Sequence, residues 1–253
     1  MIGILDSGLG GLSVFNEVRA LIPKASILYV ADSAWCPYGS RPYHEIRSRV
    51  STIIDFLIQQ GAQIIVIACN SATIACVEFL RTQYPIPIVG MEPGIKPATK
   101  ATQNGIIGVL ATEASLAGEK FHSLVSNHAQ AYQIITQPCP DFVSLVEKGI
   151  LQGPEVDAAI RQYISPMAHA DTVVLGCTHY PFLKPAISAL YPELTLIDTG
   201  SAVAQQVLRK LPVHIHNTPP LIHFYTSGDI ETCQSVLPML SAELSNQISP
   251  FPL

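Results

Sequence analysis

Charge is scarce in this 253-residue chain: Asp, Glu, Lys and Arg make up only 13% of it, with a formal net charge of −5. No block of Lys and Arg interrupts that thin distribution, so the basic patch of a nucleic-acid scaffold is missing. Missing too is any apolar run near the roughly 18 residues of a membrane span. Neither nucleic acid nor a membrane is therefore expected as a partner. The opening Met1-Ile2-Gly3-Ile4-Leu5-Asp6 has no basic n-region or cleavage site, so it does not read as a signal peptide and a cytoplasmic location is expected. There is no Cys-x-x-Cys. The six cysteines, Cys36, Cys69, Cys76, Cys139, Cys177 and Cys233, are too scattered in a chain without an export signal to form a disulfide framework. Cys69, Cys177 and His179 offer ligand atoms at no standard metal spacing, so no metal is expected. The strand-tip motifs contain no lysine for pyridoxal phosphate; Lys24, Lys96 and Lys184 lie outside them.

What the chain has in quantity is apolar sequence, 48% of residues, arranged in short runs. The central one is Gln63-Ile64-Ile65-Val66-Ile67-Ala68-Cys69-Asn70-Ser71-Ala72-Thr73. Its β-branched core reads as a strand buried on both faces, as in a parallel sheet. The run stops at a cysteine, and a helical pattern starts within a few positions. In open α/β sheets ligands bind beyond the carboxyl ends of strands, where helix N-termini present unpaired N–H groups. Asp171-Thr172-Val173-Val174-Leu175-Gly176-Cys177-Thr178-His179-Tyr180-Pro181 repeats the device. Cys69 and Cys177 thus stand at the tips of two buried strands; the other four cysteines read as small buried hydrophobes.

Strand and helix alternate along the chain, which means βαβ units. Strands are expected at 1–5, 26–31, 86–90, 107–112, 195–197 and 221–226, besides the two that carry cysteines. Asp6-Ser7-Gly8-Leu9-Gly10-Gly11 invites a dinucleotide reading, but an acidic residue at the strand tip opposes a pyrophosphate, and a tight strand-to-helix turn is the better account. Apolar positions Ile46, Val50, Ile53, Ile54 and Leu57 keep helical spacing until Gly61. Ile107-Gly108-Val109-Leu110-Ala111-Thr112 echoes Ile2-Gly3-Ile4-Leu5-Asp6-Ser7 at a distance of 105 positions, and the two strand-tip cysteines lie 108 apart. Near-equal offsets indicate two pseudo-symmetric α/β domains with mostly parallel sheets facing a shared cleft. The expected ranges are 1–93 plus 207–253 for the first and 94–206 for the second. The strand at 221–226 and the helix from Asp229 are surplus to the second half and are expected to return to the first.

A substrate held between two thiols can lose a proton from carbon to one as thiolate and gain a proton on the opposite face from the other as thiol. The net result is inversion of a stereocentre. A thiol with an ordinary pKa near 8.5 serves either role after modest tuning, and no redox cofactor is needed. Helix N-termini after Cys69 and Cys177, with hydroxyls from Ser7, Ser71, Thr112 and Thr178, would bind carboxylates without a fixed cation. Plainer roles stand beside these: Ser71 and Thr178 as helix caps, Glu147 as a solvated helix-end charge, His179 as a satisfied loop histidine.

The chain resembles the glutamate racemases, cofactor-independent members of the aspartate/glutamate racemase superfamily. The likeness rests on Asp6-Ser7-Gly8 with Gly10-Gly11, Asp32 with Pro37-Tyr38-Gly39, Ala68-Cys69-Asn70-Ser71-Ala72, Leu145-Val146-Glu147-Lys148-Gly149 and Gly176-Cys177-Thr178-His179-Tyr180-Pro181. It implies interconversion of L- and D-glutamate, supplying D-glutamate to peptidoglycan in a bacterial cytoplasm, and a homodimer. It implies Cys69 and Cys177 as the paired acid and base, Asp6 near Cys69, and Glu147 and His179 near Cys177. It further implies substrate contacts by Asp6, Ser7, Tyr38, Gly39, Asn70, Ser71, Thr112, Thr178 and His179. Ser71 departs from the pattern, since relatives usually carry threonine there; the hydroxyl survives. Racemases of aspartate or hydantoins share the two thiols but typically place Glu after Cys-Thr, where this chain has His179. A non-catalytic amino-acid-binding module would need neither cysteine.

Overall fold

A computed structural model of the chain describes residues 1–212, 219–241, 243 and 248–252. They divide into two compact units, Met1–Met91 with Gly200–Leu253, and Glu92–Thr199. The range expected for the end of the first domain, 207–253, runs over 213–218, 242, 244–247 and 253, which lie outside the described residues.

The chain opens with β1 (Ile2–Asp6), α1 (Leu12–Leu21), β2 (Ile27–Ala31), α2 (Tyr43–Gln59), β3 (Ile64–Ile67), α3 (Asn70–Gln83) and β4 (Ile88–Gly90). The second unit follows with α4 (Ile95–Ala101), β5 (Ile106–Ala111), α5 (Glu113–Ala117), α6 (Glu119–His128), β6 (Gln133–Pro138), α7 (Pro140–Glu147), α8 (Pro154–Ile164), β7 (Thr172–Gly176), α9 (Lys184–Leu190) and β8 (Thr195–Ile197). Returning to the first unit, it adds α10 (Gly200–Lys210), β9 (Ile222–Thr226), α11 (Ile230–Leu240) and β10 (Ile248–Pro250).

Among the described residues the first unit holds a six-stranded sheet in the order β10-β9-β2-β1-β3-β4, and the second a four-stranded sheet in the order β6-β5-β7-β8. Each strand pair is parallel. This is an α/β fold, as the alternation of elements requires. Strands covered on both faces read as unbroken apolar runs rather than alternating ones. Accordingly β1, β2, β3 and β7 are buried at every position. Helix α2 buries Ile46, Val50, Ile53, Ile54 and Leu57, the stripe its spacing predicts. Gly61 follows at φ +94°, a conformation in which a side chain would be strained.

The internal likeness of the two halves is visible in topology. The core of the first sheet runs β2-β1-β3-β4, and the second runs β6-β5-β7-β8, so each strand of one has a counterpart in the other. Strand β9 joins the outer side of β2, from Ile27 opposite Ile222 to Ala31 opposite Thr226, so the surplus strand lies in the first sheet. Helix α10 was expected to close the second half as far as residue 206. Instead it packs against α1 in the first unit, burying Val203, Ala204 and Val207. An apolar stripe on a helix says that it is buried, not which core it covers.

Candidate active site

In an order such as 2-1-3-4 the chain runs outward from β1 to β2, then crosses back to the other side of β1 for β3. Ligands of open parallel sheets bind where the order reverses, beyond the carboxyl ends of the two central strands. In the first unit those strands are β1 and β3, and in the second β5 and β7. Backbone bonds draw the loops after neighbouring strands together. Ala68 N–H donates to Leu5 O at 2.9 Å and Asp32 N–H to Asp6 O at 2.9 Å. The second unit repeats this with Cys139 N–H to Ala111 O at 3.2 Å.

The first half-site is built from the tips of β1 and β3. Asp6, wholly buried, accepts a 3.1 Å hydrogen bond from Gly8 N–H at Oδ2, which tightens the turn into α1. Gly11 allows that turn to lie against the strand. A Cβ there would stand 2.6 Å from Asp6 Cβ, 2.6 Å from the Tyr29 hydroxyl and 3.0 Å from Ala68 Cβ. The Gly10-Gly11 doublet was legible as a turn, but its packing against a site carboxylate was not.

Cys69 is the N-cap of α3, and its Sγ accepts from Ala72 N–H at 3.4 Å. A helix N-terminus favours negative charge, so this bond strengthens when the sulfur is a thiolate. The Cys69 thiol also lies 3.7 Å from Ser7 Oγ, bringing together two of the expected residues from 62 positions apart. Asn70 and Ser71 fill the first turn of α3 and are buried. Asn70 Oδ1 has no hydrogen-bond partner among the described residues, as suits an acceptor kept for a ligand.

The side chain of Tyr38 is already engaged by the protein. Its hydroxyl donates to Asp32 Oδ2 at 2.6 Å, and the ring is buried in the cluster that contains Cys69. Burial, then the Asp32 charge and hydrogen bond, hold its phenol well above the usual range, so the hydroxyl keeps its proton and donates a hydrogen bond to Asp32. What remains for a ligand at this turn is the backbone of Tyr38 and the half-buried Gly39.

The second half-site gathers Cys177, Thr178, His179 and Glu147. Cys177 follows β7 as Cys69 follows β3, and it is also buried. His179 Nδ1 lies 3.5 Å from Cys177 Sγ and 3.4 Å from Thr178 Oγ1, and its Nε2 lies 2.7 Å from Glu147 Oε1. Glu147 is the last residue of α7 and the His179 side chain is only 2% exposed, so neither the solvated charge nor the idle loop histidine describes them. Thr112 lies beyond β5 as Ser7 lies beyond β1. It caps α5, accepting from Ser115 N–H at 3.2 Å and donating to Ser115 Oγ at 2.8 Å.

Tyr180 supports this half-site without having been singled out. Its buried hydroxyl donates to Cys139 O at 2.9 Å, at the start of α7, and Phe142 packs edge-on against both Tyr163 and Tyr180. The helix that ends at Glu147 is thereby held to the residue after His179. No disulfide joins the six cysteines. Burial pushes the Cys76 thiol up to about 12 and drives Cys139 up further, which suits an inert packing role for both.

The family profile described as Asp/Glu/Hydantoin racemase matches residues 12–207. The chain belongs to that racemase family. It is 47% identical over 249 residues to a glutamate racemase of Ectopseudomonas mendocina, covering 96% of this chain and 95% of the relative. Among solved structures, this racemase superimposes on Escherichia coli glutamate racemase in complex with L-glutamate and the activator UDP-MurNAc-Ala. The TM-score is 0.90 at 29% identity, covering 99% of this chain and 97% of that one. It also matches glutamate racemase from Francisella tularensis in complex with D-glutamate, with TM-score 0.85 and 25% identity over 99% and 97% of the two chains. The enzyme is thus an isomerase. Among the described residues, no helix is long and apolar enough to cross a membrane.

Proposed function

We propose that this racemase interconverts L- and D-glutamate without a cofactor, using Cys69 and Cys177 as acid and base on opposite faces of the substrate's Cα. The observation that carries the reading is the Cys177–His179–Glu147 series, a thiol with a proton acceptor at 3.5 Å that is itself backed by a carboxylate at 2.7 Å. Such a thiol can pass its proton to imidazole and act as thiolate. In one direction the Cys177 thiolate takes the Cα proton, and the electron pair left on Cα is delocalised into the α-carboxylate. The Cys69 thiol then protonates the other face and becomes the thiolate, stabilised by Ala72 N–H. The reverse direction exchanges the roles.

In this reading Asp6 serves the Cys69 side, and Ser7, Asn70, Ser71, Thr112 and Thr178 bind the substrate's carboxylates and ammonium. The Tyr38–Gly39 turn contributes through its backbone. The full-length likeness to glutamate racemases supports glutamate over aspartate. One methylene is worth only about 1–3 kcal/mol, but the shorter substrate also misplaces its distal carboxylate and leaves donors unpaired. The product would serve peptidoglycan synthesis in the cytoplasm, with the enzyme as a homodimer.

The test is exchange at Cα. Dialysed protein incubated with L-glutamate in heavy water should place deuterium at Cα while D-glutamate accumulates, and Cys69→Ala and Cys177→Ala should each abolish racemisation. Activity surviving either substitution, or restored only by an added cofactor, would overturn the two-thiol scheme. Equal kcat/KM on aspartate would overturn the substrate assignment.

A further inference from the structure

We propose that Arg49 is a positioning residue of this site, acting through Asp32 to hold the Tyr38–Gly39 turn beside Cys69. Among the described residues, Asp32 accepts four hydrogen bonds while being wholly buried. Arg49 supplies two in the bidentate geometry of a guanidinium on a carboxylate, Nε to Oδ2 at 2.8 Å and Nη2 to Oδ1 at 2.7 Å. Tyr38 supplies a third at 2.6 Å, and Ser227, at the tip of β9, a fourth at 2.7 Å.

The arrangement explains itself through charge. A carboxylate with no solvent exposure needs a countercharge and a full set of donors. Arg49, on α2, is the cation, and stacking keeps its head in place, 5.3 Å from the Trp35 ring and 5.4 Å from the Phe251 ring. With both oxygens saturated, Asp32 stands as a rigid post to which the phenol of Tyr38 is tied. Tyr38 in turn lies in the hydrophobic cluster that contains Cys69. The turn formed by Tyr38, Gly39 and Ser40 is a single short 3-10 segment, so the position of the phenol sets the position of its backbone. Ser227 extends the network to a chain segment 195 positions away, where its Oγ also accepts from Ala34 N–H at 3.1 Å.

The inference rests on the proposed role of the Tyr38–Gly39 backbone in binding substrate, and the experiment separates the two. Arg49→Met, Arg49→Lys, Tyr38→Phe and the Arg49→Met/Tyr38→Phe double variant are compared with the unaltered enzyme in glutamate racemisation. Arg49→Met and Tyr38→Phe should each raise KM about tenfold with kcat within about threefold, and Arg49→Lys should recover part of the loss. Since both act through Asp32, the double variant should be no worse than about threefold beyond the poorer single one. Alkylation of Cys69 by iodoacetamide, followed by mass spectrometry, gives a readout that needs no turnover. It should quicken in Arg49→Met and Tyr38→Phe as the ring loosens. Unchanged KM and alkylation in Tyr38→Phe and Arg49→Lys, which keep Asp32 largely paired and so should fold, would overturn the proposal. So would losses that multiply in the double variant. An unaltered enzyme inactive on glutamate would sink the substrate assignment alone, leaving the alkylation rates to decide the role of Arg49.

Discussion

Nε2 of His179 lies 2.7 Å from a carboxylate oxygen of Glu147, a residue 32 positions earlier in the chain. An ionised carboxylate only accepts, so the Nε2 proton points at Glu147 and a neutral ring turns its Nδ1 lone pair toward Cys177. In the proposed mechanism Glu147 thereby selects the tautomer that can take a thiol proton and stabilises the imidazolium that results.

Glu147→Gln should lower kcat/KM for glutamate by about tenfold, the worth of one hydrogen bond to a charged group. The fall must be equal for the two enantiomers, whose equilibrium ratio is unity. Unequal changes are expected in the separate kcat values and in the Cα deuterium isotope effects of the two directions. Unaltered kcat and isotope effects would remove Glu147 from the proton path.

Gly11→Ala should destabilise the enzyme by about 1–3 kcal/mol, the usual cost of an added methyl in a filled core. Its new Cβ meets Asp6 Cβ and Ala68 Cβ, which belong to the strand tips, and a Tyr29 hydroxyl fixed by stacking of its ring on Phe224. Denaturant midpoints measure the loss. Displacement of Asp6 should lower kcat as well; wild-type stability and rate would show that the turn yields freely.

Tyr180→Phe deletes the donor to Cys139 O and leaves a buried carbonyl without it, at a cost of about 1–3 kcal/mol. Since Tyr180 is wholly buried and burial keeps its phenol protonated, the loss should be constant between pH 6 and about pH 9. Equilibrium unfolding at three pH values checks both statements. A loss confined to alkaline pH would mean that the phenol ionises.

Asp171 gives the enzyme an acid-sensitive tie. Burial works to raise its carboxyl, but bonds from the Thr102 hydroxyl and from Asn104 and Gln103 N–H outweigh it and hold it at about 2. A carboxylate whose folded pKa lies below its unfolded one stabilises the fold above the unfolded value and ceases to do so as pH falls through the folded one. Asp171→Asn should therefore cost on the order of 1 kcal/mol at neutral pH, once solvent screening of this half-exposed group is allowed for. The difference between variant and wild type should shrink as pH drops from about 4 toward 2. Calorimetric Tm differences that stay constant over that range would contradict it.

The parts of the fold that were legible in the chain are those where burial leaves no choice. Ile64–Ile67 and Thr172–Gly176 are covered on both faces; Cys69 comes one residue after the first and Cys177 directly after the second. Of the edge strands, β4 and β8 were legible but β6 and β10 were not. Gln133–Pro138 is a half-exposed strand of mixed polarity ending in proline, and Ile248–Pro250 has three residues, so neither carries a periodic signal. The pairing of Glu147 with His179 came only from resemblance, because a helix end and a distant loop meet by tertiary packing. Arg49 was invisible for the same reason. On α2 it reads as another solvated charge, and only folding sets it over Asp32.

The first sheet is assembled from both ends of the chain, whereas the strands of the second all fall between Ile106 and Ile197. A ribosome that has released residues up to about 200 has supplied every strand of the second sheet. Strand β2, made far earlier, still lacks β9, whose partner positions lie 195 residues downstream. Nascent chains should therefore expose one edge of the first sheet throughout synthesis of the second unit, an edge open to pairing with other chains. Closing it also brings Ser227 to Asp32, so the earlier half-site is the last to be completed.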